Sequence, residues 1–203
     1  MQRLAAACSL VAVVAAAPAR ADEWIGEQPG RHRSYRYELE PHGDFAFLGV
    51  GRDVSGIGLG ARMSFPIVKD GFIRTLNNSV AVTTGLDFIS YSGCYGLRFG
   101  DCSSVSALWL PVALQWNFHL TPDFDAFAEL GGTVRRVSFG DNCGGTAGST
   151  ATGTDVTVDC GNRATLDLRP AFWLGGRYRL SDGSALTLRL GADYWTAGAS
   201  FFY

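Results

Sequence analysis

Lysine is almost absent from this sequence, which has a single one, Lys69, in 203 residues. A soluble domain normally carries many lysines and glutamates on its surface, so this scarcity disfavours a surface that is exposed to water throughout. The other cationic side chains are arginines, and the formal net charge is −2 at neutral pH. A nucleic-acid-binding protein is usually strongly basic, and we therefore predict no nucleic-acid partner.

Long apolar runs are also missing beyond the N-terminus, where a spanning helix would need roughly 18 apolar residues. Residues 4–17 (LAAACSLVAVVAAA) are apolar, follow Arg3 and precede the sequence Ala19-Arg20-Ala21. This arrangement is typical of a secretory signal peptide, whereas a membrane anchor would need a longer apolar core. We predict that residues 1–21 are cleaved, which removes two arginines and leaves a formal charge of −4.

The spacing Cys-x-x-Cys is absent too, which argues against a structural zinc site. Four cysteines remain after the predicted cleavage, and an even number in an exported protein indicates disulfides. Three pairings are possible. We expect nearest neighbours to pair, because each such pair lies within one segment rich in glycine, serine and aspartate. The expected disulfides are Cys94–Cys102 and Cys143–Cys160.

Alternation of apolar and other side chains is the main pattern that is present. In residues 108–120 (LWLPVALQWNFHL), every second residue is apolar, and the residues between them are mixed. A strand sends successive side chains to opposite faces, so this segment predicts a strand with one apolar face. The same alternation occurs in 57–67, 80–91, 166–180 and 186–194.

The pattern predicts eight strands, and several of them are longer than the five or six residues that are usual in globular proteins. A membrane-spanning strand needs about 9–11 residues. The expected strands are 44–51, 55–67, 79–91, 105–120, 124–138, 163–180, 185–193 and 196–203. Residues 22–42 are polar and form a lead-in segment in this interpretation, so the barrel domain spans 43–203.

The connections differ in length in a regular way. The third and fifth, 92–105 and 139–162, are long, whereas 121–123 and 181–184 are tight. In an antiparallel arrangement both long connections lie at one end, which is the asymmetry of outer-membrane barrels. The predicted fold class is all-β, an eight-stranded antiparallel up-and-down transmembrane β-barrel.

A secreted β-sandwich or lipocalin-like barrel would alternate similarly, but its apolar face would point to a core. Its other face would then meet water, whereas here that face carries glycine, alanine, Trp109 and Trp173 among paired charges. Such a mixture suits a narrow enclosed interior, where charges must pair. An ion-conducting lining and a catalytic cluster are the alternatives. The predicted lumen ion-pair network consists of Arg62, Asp87, Glu129, Arg135, Asp167, Arg169, Arg177, Arg189 and Asp193, with Gln115 and Asn117 beside it.

Aromatic residues near the predicted strand ends are candidates for girdles at the two membrane interfaces. These are Tyr91, Trp116, Phe118, Tyr178, Tyr194 and Tyr203.

The chain ends in TAGASFFY, which resembles the C-terminal sorting signal of bacterial outer-membrane barrels. Thr196, Gly198, Phe201 and Tyr203 match its polar, glycine and two aromatic positions, although phenylalanine is the usual last residue. With the alternation and the signal peptide, the chain resembles the small eight-stranded barrels that include OmpA-like and OmpX-like proteins. The resemblance implies a bacterial outer-membrane location and recognition by the barrel assembly machinery.

Catalytic chemistry finds little support in the sequence. His119 is the one histidine in a predicted strand, Ser64 is the nearest nucleophile on the same face, and His42 falls in the lead-in. We predict no catalytic residues, metal ligands or cofactor. The expected protein is a monomeric outer-membrane barrel with a plugged interior, in contact with membrane lipids, and with a structural or surface-interaction role and an unknown extracellular ligand. A narrow porin-like channel and a lipid-modifying enzyme are the alternatives.

Overall fold

The computed structural model describes residues 23–47, 55–92, 105–139, 145–147, 156–158 and 164–203. None of these residues forms a helix that is long and apolar enough to cross a membrane. The predicted signal peptide and all four cysteines of the mature chain lie outside the described residues. Cleavage and the disulfide pairing therefore stay predictions.

Eight long strands form one closed barrel in the order β1-β10-β9-β8-β5-β4-β3-β2, and each neighbouring pair is antiparallel. This confirms the predicted eight-stranded antiparallel barrel. Two short strands pair with each other within the longest connection. The strands are β1 Glu38–Ala46, β2 Ser55–Val68, β3 Asn78–Ser92, β4 Val105–His119, β5 Phe124–Phe139, β6 Gly145–Ala147, β7 Val156–Val158, β8 Ala164–Ser181, β9 Ser184–Gly191 and β10 Tyr194–Phe202.

The first strand was predicted wrongly. It begins at Glu38, so residues 38–42 belong to the barrel and not to the lead-in. The segment ELEPHGDFA alternates charged and other residues, and its charged parity faces inward, which hides the apolar signal on which strand prediction depends. The pairing of β1 with β10 is interrupted between Leu39 and His42. Pro41 lies in this gap, and it has no N–H to donate to the neighbouring strand.

Closure depends on the last strand, which pairs with the first from Glu38↔Phe202 to Ala46↔Tyr194. A closed barrel leaves no unpaired strand edge, so every neighbouring strand supplies backbone hydrogen-bond partners.

The apolar parity of the strands points outward, as predicted. Its most exposed members include Leu168 (78%) and Leu59 (76%), which in a water-soluble protein would form an unusually large apolar surface. The opposite parity is largely buried and holds most of the charged side chains of the strands.

Two of the predicted girdle aromatics point inward instead. Tyr91 and Tyr194 are buried in the lumen. For Tyr194 the reason is the connection after β9, which reverses the alternation. Leu190 faces outward, but Tyr194, four residues later, faces inward, and Trp195 faces outward. The other four lie on the outer parity, namely Trp116, Phe118, Tyr178 and Tyr203.

The lead-in segment covers the end of the barrel that carries the tight turns. Ile25 N–H donates to the carbonyl of Leu120 (2.9 Å), and the His32 ring stacks on His119 at 4.2 Å. Burial, together with the nearby carboxylate of Glu38, raises the pKa of Tyr35 in this segment, which keeps its phenol neutral. Residues 23–37 thus lie against one mouth of the barrel.

Candidate functional site

The centre of the lumen is filled by a buried ion-pair network. Arg189 donates to Glu40 and, through Nε, to Glu129 Oε1 at 3.0 Å. Arg62 Nη1 donates to the other oxygen of Glu129 at 3.1 Å, and Gln115 Nε2 donates to Glu129 Oε1 at 2.7 Å. All five side chains are almost completely buried. Glu129 therefore accepts charge-assisted hydrogen bonds from two guanidiniums, which is the pairing that a buried carboxylate requires.

Arg177 extends this network toward the tight-turn end. Its Nη2 lies 2.8 Å from Glu38 Oε2 and 2.9 Å from Gln115 Oε1, and its Nη1 donates to Asn117 Oδ1 at 2.8 Å. The guanidinium also lies over the Phe127 ring, 4.5 Å from its centroid. A cation over an aromatic face gains further attraction where water is excluded.

The structure divides the predicted lumen residues into two groups. The central group holds Arg62, Asp87, Glu129, Arg177 and Arg189.

The second group lies near the end with the long connections and is more exposed. Arg135 Nη2 lies 2.6 Å from Asp167 Oδ2, and Arg169 Nη1 lies 3.0 Å from Asp193 Oδ1. These four side chains are 13–38% exposed, so water screens their pairs more strongly than those of the centre.

Sequence reasoning missed the inward face of β1, which supplies Glu38, Glu40, His42 and Asp44. The signal was present as Glu-x-Glu-x-His-x-Asp, a polar alternation with the period of a strand. Asp125 and Arg179, which pair at 3.1 Å, were missed as well.

A hydrogen-bonded row of serine, histidine and aspartate lies at the tight-turn end. His119 Nδ1 is 2.7 Å from Asp125 Oδ1, so this nitrogen carries the hydrogen and Nε2 is free to accept. Ser79 Oγ lies 3.0 Å from that Nε2. The sequence pointed to Ser64 as the nearest serine, but Ser64 is buried on β2 and Ser79 lies beside His119 instead. The register of β3 and β4 explains this, because Ser79 pairs with Asn117, two residues before His119.

The surroundings of this row are polar, and a cleft borders it at His119 and Asp125, whereas Ser79 is buried and does not line the cleft. Asn117 Nδ2 lies 3.4 Å from Ser79 Oγ, and Arg177 holds the carbonyl of the same amide. His119 and Asp125 line a cleft of about 350 Å³, together with His32 and Arg179.

A third cluster could hold a metal ion. One ligand atom each from His42, Asp44 and Asp87 lies within 4.8 Å of the others, and all three residues are buried. The sequence analysis placed His42 in the lead-in and predicted no metal ligands.

The residues of the predicted sorting signal lie on β10 and just after it. Thr196 points into the lumen, whereas Phe201 and Tyr203 point outward. Gly198 permits the close approach of β1, because a Cβ there would lie 2.3 Å from the carbonyl oxygen of Pro41. The role of these residues in sorting stays a prediction.

No protein-family model and no curated protein sequence matches the chain. Among solved structures, it is similar to the outer membrane protein OprG from Pseudomonas aeruginosa, with 12% identity, a TM-score of 0.53, and coverage of 87% of this chain and 99% of OprG. It is also similar to Ail, the attachment invasion locus protein of Yersinia pestis, in complex with the heparin analogue sucrose octasulfate, with 11% identity, a TM-score of 0.48 and coverage of 82% and 96%. The closed antiparallel topology and the likeness to OprG together show that this chain has the fold of the small eight-stranded outer-membrane β-barrels.

Proposed function

We propose that this chain is an integral outer-membrane protein of a Gram-negative bacterium, with a closed interior and a structural or surface-interaction role in the cell envelope. The predicted signal peptide, the exposed apolar outer face and the fold shared with OprG support this location. The tight turns would face the periplasm and the long connections the exterior, following the asymmetry of such barrels.

The burial of the central side chains is the observation that supports a closed interior. The central side chains Arg62, Gln115, Glu129 and Arg189 have essentially no surface that water can reach. A water-filled channel that passed these residues would leave part of each side chain accessible. The described lumen is instead packed, as an interior of eight strands allows.

The proposed partners follow from the surface. Membrane lipids cover the outward leucines and phenylalanines, and the barrel assembly machinery recognises the tail during biogenesis. Closure leaves no free strand edge in the barrel, which supports a monomer. The proposed binding surface for an extracellular ligand consists of the two long connections, each of which contains one predicted disulfide. The chemistry of that ligand is not specified.

Conductance separates this proposal from the channel alternative. The purified, refolded protein should show no steady openings in a planar lipid bilayer, because the central ion-pair network blocks the path of water and ions. A difference in gel migration between boiled and unboiled samples serves as the control for folded protein. Steady unitary openings from a sample that passes this control would refute the closed interior.

A second candidate function is hydrolysis of a small ester, which the row Ser79–His119–Asp125 favours. Ser79 Oγ would attack the ester carbonyl while its proton passes to His119 Nε2. That proton would then go to the departing alkoxide, and water would release the acid in the second half of the reaction. Asn117 Nδ2 donates to Ser79 Oγ at 3.4 Å and so helps to hold the hydroxyl beside His119.

Covalent labelling tests this candidate. A small fluorophosphonate should label the folded protein at Ser79, and His119→Gln should lower the labelling rate by about 10² or more, since it removes the general base. Ser64→Ala is the matched control, because Ser64 is a buried inward serine that makes no hydrogen bond to a histidine among the described residues. Labelling that is absent, or that persists in Ser79→Ala, would exclude the hydrolase.

A further inference from the structure

We propose that the lumen holds a divalent transition-metal ion, bound by His42, Asp44 and Asp87. The three side chains come from β1 and β3, which flank β2. In the sheet register, Gly60 on β2 pairs with His42 on one side and with Asp87 on the other. A side chain of β2 would normally lie between the inward side chains of β1 and β3. Gly60 has no side chain, so His42 and Asp87 can approach each other directly.

Gly60 makes the cluster possible. A Cβ at this position would lie 2.3 Å from Asp87 Oδ1 and 2.5 Å from His42 Nε2, so any larger residue would push these two ligand atoms apart. Gly58 has the same relation to Asp44, whose Oδ2 would lie 3.0 Å from an added Cβ. The two glycines form a recess in the barrel wall into which the three polar groups converge.

The distances from His42 Nε2 to the two carboxylates are close to those between neighbouring ligands of one metal ion. Imidazole nitrogens and carboxylate oxygens bind zinc at about 2.0–2.2 Å, so two ligands of one ion lie roughly 2.9–3.5 Å apart at tetrahedral or octahedral angles. His42 Nε2 lies 2.8 Å from Asp87 Oδ1 and 3.3 Å from Asp44 Oδ1.

The hydrogen bonds around the cluster orient its lone pairs inward. His42 Nδ1 lies 3.1 Å from the backbone carbonyl of Glu40, which can only accept, so this nitrogen carries a hydrogen. Without an ion, His42 Nε2 donates a hydrogen bond to Asp87 Oδ1 at 2.8 Å, and a bound metal ion would displace that proton. Tyr194 donates to Asp87 Oδ2 at 2.5 Å, and Arg62 Nη2 lies 3.4 Å from it, which leaves Oδ1 directed at the cluster. Such outer contacts are the usual support of metal ligands.

Asp44 is buried without a hydrogen-bond donor, although His42 Nε2 lies 3.3 Å from its Oδ1. Its side chain is completely buried, and neither of its oxygens accepts a hydrogen bond from the described residues. A proton on His42 Nε2 would be directed at the nearer Asp87, and it would leave Asp44 without a donor at hydrogen-bonding distance and angle. A dication placed among the three groups would compensate both carboxylates at once.

The charge of the described interior points the same way. Its buried carboxylates are Glu38, Glu40, Asp44, Asp87, Asp125 and Glu129, and its buried guanidiniums are those of Arg62, Arg177, Arg179 and Arg189. Six carboxylates against four guanidiniums leave a formal difference of two negative charges. A single divalent cation balances them. One nitrogen and two oxygens suit zinc and its first-row neighbours.

Refolding with zinc tests the site, because so buried an ion has to enter while the barrel forms. The protein is refolded in detergent with ZnCl₂ or with EDTA, dialysed, and analysed for metal by mass spectrometry. Wild type should retain about one zinc per chain, and Asp44→Asn, which keeps the shape and removes the charge, should lose most of it. Asp167→Asn, which alters an inward carboxylate of the exposed group, is the matched control and should retain the ion.

Cobalt provides a second measurement that needs no variant. Wild type refolded with Co²⁺ should show visible d–d absorption without the intense charge-transfer band of a thiolate ligand, since the proposed donors are nitrogen and oxygen. Wild type that retains no metal, a thiolate band, or an Asp44→Asn variant that folds and binds as much zinc as wild type would each overturn the proposal.

Discussion

Replacing Arg189 with methionine should destabilise the folded barrel by about 3–5 kcal/mol, the usual cost of removing one partner of a buried ion pair. The guanidinium is completely buried and donates to Glu40 and Glu129. Without it, Glu40 loses its arginine, and Glu129 retains only the guanidinium of Arg62. Urea unfolding of the refolded protein, followed by tryptophan fluorescence, measures the change in the free energy of unfolding.

The exposed group of lumen charges offers the matched control. Arg169 also faces inward and pairs with Asp193 at 3.0 Å, but its side chain is 37% exposed. Arg169→Met should therefore cost only about 0–1 kcal/mol, as screened pairs do.

A double variant identifies the cause of the Arg189 effect. Arg189→Met combined with Glu40→Gln removes one of the unpaired charges and should recover part of the lost stability, so the two substitutions should not be additive. Equal losses in Arg189→Met and Arg169→Met would show that the central network is no more important than the exposed pairs.

Replacing Phe201 with aspartate should reduce the folded protein in the outer membrane by roughly tenfold or more, chiefly because it disrupts the proposed sorting signal, since a charge near the membrane interface itself costs little. Phe201 points outward and pairs with Leu39 of β1, so it lies on the seam that closes the barrel. The measurement is the heat-modifiable band in isolated outer membranes.

Two further substitutions separate lipid exposure from recognition of the tail. Leu180→Asp places the same charge at the same end of the outer face, on β8 and outside the tail, where Leu180 is 61% exposed. Near the membrane interface such a charge costs only about 0–1 kcal/mol, so its effect on assembly should be small. Phe201→Leu keeps an apolar side chain and should cause an intermediate loss. An equal loss in Phe201→Asp and Leu180→Asp would count against the sorting signal.

The sequence was sufficient for the barrel because alternation is a local property. Seven apolar residues at every second position in 108–120 identify β4 and its outward face without knowledge of any neighbour. The same argument failed for β1, whose inward face is charged and whose outward face includes Pro41 and Gly43. A search for strands by apolar alternation therefore overlooks a strand such as β1, in which the polar face alternates more regularly than the apolar face.

The candidate sites depend on register, which alternation does not determine. A shift of one residue between two strands would turn every side chain to the other face, so the pattern excludes it. A shift of two residues keeps each face and changes each partner. The sequence therefore placed Ser64 and His119 on the same face, but it did not determine that Ser79 would be the serine beside His119.

The sequence alone determined the number of barrel strands and the direction in which most side chains point. It also determined that several arginines and acids are enclosed in one lumen. The tertiary structure decided which charges meet, such as Arg189 with Glu40 across 149 residues of chain and His42 with Asp87 over the gap at Gly60. The physical reason is that closing the barrel fixes all the registers together. Each pairing then depends on the packing of every other strand, whereas the facing of a side chain depends only on its neighbours in the chain.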